Sequence, residues 1–260
     1  MTRSTLRFAL PLLLVLWIPR AATAQPVEVS SVDSLLTQGI RQLTDGATRG
    51  HAPTVQQARA LFERASASDV RPALSHYYTA LASYRLIDLV DDEDRSDVYM
   101  DDAQTHLEAA LDHRSGWAEA NALLALVYGR KAAGGMISGM RYGPKANGAI
   151  ERAREAAPNN PRVLLAQGIS LYNTPSMWGG DTDEAIARLQ EAINRFANTS
   201  PTDPLQPNWG HADAYAWLGI AHANDNRPRE ARTAFENALD IRPGYGWVEH
   251  VLMPKLATAE

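Results

Sequence analysis

The residues of this chain best suited to acid–base or metal chemistry are its seven histidines, at positions 51, 76, 106, 113, 211, 222 and 250. None is followed four residues later by a second histidine, the spacing that sets two ring nitrogens and a basic glutamate around zinc on one helical face. No serine stands in a G-x-S-x-G turn, so the strained elbow that exposes a nucleophilic hydroxyl is absent. The chain has no cysteine, which excludes a thiolate nucleophile. Glycines 134, 135 and 139 invite comparison with a phosphate cradle, but no G-K-[ST] follows them. The acidic run from Asp88 through Asp91, Asp92, Glu93, Asp94 and Asp97 to Asp101 and Asp102 lacks the alternating D-x-[DN]-x-[DN]-G order of a calcium loop. It reads better as a solvated turn entering a helix, where carboxylates meet the positive end of the helix dipole. The expectation is a protein with no catalytic residue, no cofactor and no metal, one that binds.

The first residues are expected to lie outside the fold. Arg3 and Arg7 precede an apolar run from Phe8 to Ile18, and Ala22-Thr23-Ala24 then precedes Gln25. This is the order of a secretory signal peptide with an A-x-A cleavage site, so residues 1–24 are expected to be removed and the chain exported to the periplasm or beyond. The apolar run is far shorter than the roughly 20 residues needed to span a bilayer, and no stable membrane anchor is expected. Export permits disulfides, yet without cysteine stability must come from packing alone. Losing three arginines and no acid would take the net charge from −5 to −8. An acidic surface argues against nucleic acid, which needs clustered Lys and Arg.

The elements that would carry a binding surface announce themselves by repetition. Five segments place an alanine, a residue four later and an alanine three after that: Ala58/Phe62/Ala65, Ala103/Leu107/Ala110, Ala149/Ala153/Ala156, Ala185/Leu189/Ala192 and Ala231/Phe235/Ala238. Steps of four and three put all three side chains on one helical face. Each is preceded by another amphipathic stretch with a small residue in its middle, most clearly Tyr215, Leu218, Gly219 and His222 before Ala231, Phe235, Ala238 and Pro243. Helix starts are marked by Thr54 with Gln57 and Asp181 with Glu184, read as capping boxes, and by Pro228 in a first turn.

Residues 212–245 resemble the tetratricopeptide repeat (TPR) family at nearly every position of its 34-residue pattern, with His222 where an aromatic is usual. The looser copies extend the resemblance over about residues 31–258. It implies an all-α fold, an α-solenoid of about five helix-turn-helix pairs with a C-terminal capping helix. That helix is expected over 246–260 with Trp247, Val251 and Leu252 inward, and residues 25–30 are expected to form a short segment before the solenoid.

Four consecutive copies depart from the pattern. The mid-helix small residue precedes the next alanine by 12 positions from Gly219 to Ala231, but by 19 from Gly39, about 22 from Leu81, 24 from Ala125 and 17 from Gly168. Enlarged turns are therefore expected between the two helices of these pairs, side by side on one edge, and long loops in compact arrays tend to be functional. The third enlargement carries Met136, Met140 and Tyr142; the fourth, after Tyr172, carries Met177 and Trp178. These six are the candidate partner- or ligand-binding residues. The fourth turn, Pro175 to Asp181, resembles one in exported TPR proteins, including TPR subunits of periplasmic solute transporters. Two functions follow as expectations. One is a non-enzymatic scaffold that holds a protein or peptide through its groove and enlarged turns. The other is a small-ligand-binding accessory of a periplasmic transport system. A further insert, Asn198 to His211, is read as a surface loop.

Overall fold

The computed structural model describes residues 25–199 and 202–259, so the signal-peptide reading of 1–24 lies outside the described residues. Those residues form helices and turns, with no strand among them. The helices are α1 (Gln25–Arg49), α2 (Ala52–Ser66), α3 (Pro72–Leu86), α4 (Glu93–His113), α5 (Ala118–Ala132), α6 (Met136–Ala156), α7 (Pro161–Asn173), α8 (Thr182–Ala197), α9 (His211–Asn224), α10 (Pro228–Ile241) and α11 (Met253–Ala259). They pack as five antiparallel pairs, α1 with α2 through α9 with α10. The first helices of successive pairs also touch one another, so they form an inner row. α1 begins at Gln25, and the stretch 25–30 is thus helical and continuous with the first pair.

The repeat works through a hole and a plug. A Cβ added to Gly219 would lie 2.3 Å from Phe235, one on Gly39 would lie 2.4 Å from Phe62, and one on Gly168 would lie 2.7 Å from Leu189. In the first, fourth and fifth pairs the large middle residue of the second helix therefore occupies the space left by the glycine of the first. The flanking alanines are fully buried in the first, second, fourth and fifth copies. In the third, Ala149 and Ala153 are buried but Ala156 is exposed, because α6 turns its last residues to solvent.

Two local expectations are corrected and a third stands. α2 starts at Ala52 after His51, so Thr54 lies inside the first turn, where its hydroxyl meets His51 Nδ1 at 2.7 Å. The cap at Asp181 stands: its carboxylate accepts from the Glu184 N–H at 2.9 Å. At the C-terminus a π-helical turn, Val248–Leu252, leads into α11, and Val248, Leu252 and Leu256 form the inner face while Val251 is exposed.

The largest difference concerns the insert before α9. It is not a surface loop. Leu205 and Trp209 are buried, the Tyr78 hydroxyl donates to the Leu205 carbonyl at 2.9 Å, and the Trp209 indole N–H donates to the Tyr77 hydroxyl at 2.8 Å. Both tyrosines belong to α3, so the insert crosses the inner side of the solenoid. The two ends of the array also approach each other: a Cβ on Gly246 would sit 3.2 Å from the Arg49 carbonyl oxygen.

Candidate functional site

Two parts of the molecule carry the side chains of interest, an outer rim and the inner groove. On the rim, the enlargements take different forms. In the third pair the extra length is helix and not loop: α6 has 21 residues against 15 in α5, an overhang of about 9 Å at 1.5 Å per residue. Gly135 at φ 121° makes the sharp entry that a side chain would resist, and its carbonyl accepts from the Gly139 N–H at 2.8 Å to start the helix. The enlargement in the second pair is likewise absorbed by the 21-residue α4 after a short 3-10 turn, and in the first by the length of α1.

The fourth enlargement is a true turn, and it is tightly built. The Trp178 and Gly180 N–H groups both donate to the Pro175 carbonyl, and the Asp181 N–H donates to the Leu171 carbonyl at 3.2 Å. A Cβ on Gly180 would lie 1.7 Å from the Thr174 carbonyl oxygen, so no larger residue fits there. This backbone holds Met177 and Trp178 outward.

The outcome is an apolar rim. Met136 and Ile137 are each 85 % exposed, Met140 71 %, Met177 81 %, Trp178 69 % and Val98 64 %. These six are most of the eight large apolar side chains exposed among the described residues, and all lie at the junctions within three consecutive pairs. Because the first helices run side by side, those junctions share one edge. Val98 and Ile137 join the rim without being among the six candidates picked out by sequence. Val98 lies within the acidic run beside Tyr99 and Met100, where no local pattern distinguishes it.

Tyr142 and Tyr172, the other two candidates, are half-buried and serve packing. Tyr142 stacks on Tyr128 with centroids 6.1 Å apart, and Lys131 and Lys145 lie over its ring at 5.2 and 5.6 Å. Tyr172 meets the edge of Trp217 at 6.0 Å, and its hydroxyl accepts from Asn224. Tyr142 anchors the root of the overhang, while Tyr172 joins α7 to α9. Neither Trp178 nor Tyr172 lines the hollow between α9 and α10 or the one that α1 and α3 share with the insert.

The groove is held by a buried charge cluster. Asp213 of α9 accepts from both Nη atoms of Arg85 on α3 at 2.9 and 3.0 Å, from Arg242 at 3.2 Å and from the Tyr245 hydroxyl at 2.8 Å. Burial alone would raise the Asp213 pKa, but Arg85 and Arg242 outweigh it and hold the carboxyl well below the usual carboxylate range. Burial pushes the Tyr245 hydroxyl up, and the neighbouring Asp213 charge adds to the effect. Arg162 on α7 is also buried and lies over Phe196 and Trp209 at 5.4 and 5.9 Å.

The histidines are partly reunited by the fold in a way their spacing did not reveal. His76 and His106 face each other through Nδ1 atoms 2.8 Å apart, and His113 stacks on His76 at 6.0 Å. No group of three or more His, Asp or Glu side chains with metal-holding geometry occurs among the described residues. His222 is buried at its repeat position, as expected. Of the acidic run, Asp92 caps α4 by accepting from the Arg95 N–H at 3.1 Å, and Asp102 pairs with Arg59 at 3.0 Å. Among the described residues, no helix is long and apolar enough to cross a membrane.

No protein-family model matches this chain, and no curated protein sequence matches it. Solved structures do. TTC0263, a thermophilic TPR protein of Thermus thermophilus, is similar with a TM-score of 0.61 at 17 % identity, covering 88 % of this chain and 98 % of that one. The HusA haemophore from Porphyromonas gingivalis is similar with a TM-score of 0.59 at 21 % identity, covering 80 % of this chain and 96 % of its own. At such identities the likeness concerns the fold, and it agrees with the stacked pairs and glycine-filling side chains described above: this chain is an all-α solenoid of the tetratricopeptide-repeat type.

Proposed function

We propose that this chain is an exported, non-enzymatic binding protein that holds a protein or peptide partner on its apolar rim. The observation that carries the reading is that six of the eight large apolar side chains exposed among the described residues fall at the helix junctions of three consecutive pairs. Scattered apolar residues are ordinary on a surface; a row of them on rigid supports is a contact surface. Methionine adapts its shape to a partner and tryptophan supplies large contact area, so Met136, Met140, Met177 and Trp178 suit such a role. Use of the groove by a partner is disfavoured, since Leu205 and Trp209 already fill much of it. Export is supported by Arg3, Arg7, the apolar run and Ala22-Thr23-Ala24.

A photo-crosslinking amino acid placed at position 140 or 178 tests the rim, with exposed position 236 on α10 as the control. Both rim positions should capture the same discrete protein in intact cells, and Met177→Ser should weaken both captures. Equal labelling from all three positions would remove the rim from consideration. Intact mass of the recovered protein should correspond to a chain starting at Gln25.

A further inference from the structure

The inner groove, although crossed by the insert, is not full. A cavity of about 240 Å³ remains between α1, α3, the insert and the ends of α9 and α10. Much of its lining is apolar, formed by Ile40, Leu43, Tyr78, Leu81 and the Trp209 ring. Arg85, one turn beyond Leu81 on α3 and 5.5 Å from the Trp209 ring, and Arg242 add two guanidinium groups to the lining, and no aspartate or glutamate lines the cavity. Behind them stands the single carboxylate of Asp213, which both arginines share. Two guanidinium charges against one carboxylate leave one positive charge in surplus at the wall. The fork of Arg85 is spent on Asp213 through both Nη atoms, whereas Arg242 reaches it through Nη2 alone. Arginine presents five N–H donors in a plane, so Arg242 retains donors that a second carboxylate can use. His211 also lines the cavity, and its Nε2 is buried without a hydrogen-bond partner. Buried polar atoms are nearly always paired, and an unpaired one at a cavity wall points to a missing polar neighbour.

We propose that this cavity binds a small monocarboxylate with an apolar body, its carboxylate on Arg242 and its hydrocarbon or ring against Tyr78, Leu81 and Trp209. Size bounds the ligand: pockets for drug-sized molecules run from about 300 to 1,000 Å³, so this one takes something smaller. The apolar wall disfavours inorganic anions, which would lose hydration there without gaining hydrogen bonds on that side. The surplus charge disfavours neutral and cationic molecules. The site is independent of the rim, since it shares no residue with it.

Calorimetric titration of the whole processed chain tests this, with phenylacetate and hexanoate as probes and 2-phenylethanol and 1-hexanol as neutral counterparts. At least one acid should bind with one-to-one stoichiometry, and its alcohol about tenfold or more weaker, the scale of one charged hydrogen bond. Arg242→Gln should weaken the acid about tenfold. Arg242→Lys, which keeps the charge, should retain most of the binding, and this pair of variants separates charge from packing. Ala47→Leu, which adds bulk at the cavity wall, should reduce binding of the acid and any residual binding of the alcohol together. Circular-dichroism melts of Ala47→Leu should follow the parent; the two Arg242 variants, which loosen one contact of Asp213, should melt earlier but in a single cooperative transition above the titration temperature, because Asp213 keeps Arg85 and Tyr245 in each. No heat with either acid, acid and alcohol binding alike, or Arg242→Gln binding as the parent does would each overturn the proposal.

Discussion

The groove and the rim hold the same kinds of side chain under opposite conditions. Trp209 and Trp178 are the sharpest contrast. Trp209 is buried, its indole N–H satisfied by Tyr77 and its ring beside Arg85 at 5.5 Å. Trp178 stands mostly in solvent on a turn whose own backbone bonds hold it there. The first tryptophan is structural, joining an insert to a helix more than a hundred residues away. The second contributes little to the fold. Bulky aromatic chemistry alone therefore does not locate a binding surface; what matters is whether the surrounding chain has already used it.

The contrast can be broken most forcefully at Asp213. Asp213→Ala would leave Arg85 and Arg242 facing each other in a buried site, and breaking a buried ion pair costs about 3–5 kcal/mol. Urea denaturation should show a loss of that size or larger, since two arginines lose their partner at once. The effect should depend on pH. Asp213 has a folded pKa below its unfolded value near 3.9, so its contribution is complete above about pH 5 and fades as the pH falls toward the folded pKa. The gap between parent and variant should accordingly narrow in acid. A gap that stays constant from pH 7 to about pH 3 would show that the carboxylate is not the source of the effect.

The paired tryptophans sharpen the comparison directly. Trp209→Ala should destabilise by about 3–5 kcal/mol, the usual cost of deleting a buried aromatic side chain. Trp178→Ala should change stability by less than about 0.5 kcal/mol, as surface substitutions do. The same variant should nevertheless weaken partner capture by the rim. Melts in which Trp178→Ala loses as much as Trp209→Ala would mean that the rim tryptophan seals the core and is not held out for contact.

Much of the fold was legible in the residues, and the reason is that helical faces and helix pairing are local. Steps of three and four between alanines, with Gly39, Gly168 and Gly219 opposite Phe62, Leu189 and Phe235, specify which faces meet without reference to the rest of the chain. The candidate site was legible in part. Met136, Met140, Met177 and Trp178 stood out because their positions stretch the repeat, and all four are exposed. Tyr142 and Tyr172 were drawn in by chemistry and proximity, yet the fold spends them on Tyr128 and Trp217.

By itself the sequence determined the helix pairs, their order and the positions at which the repeat is lengthened, since each rests on spacings of a few residues. Only the tertiary structure decided the course of the insert before α9, the approach of Gly246 to Arg49 and the meeting of Arg85 with Asp213 across 128 positions. The stretch from Asn198 to His211 looked like a surface loop because it is rich in Pro, Thr and Asn, while Leu205, Pro207 and Trp209 carry it inward. Where such a segment lands depends on how far the stacked pairs have turned by the time the chain returns. That turn is the sum of small rotations at successive interfaces, a quantity no local pattern of residues records.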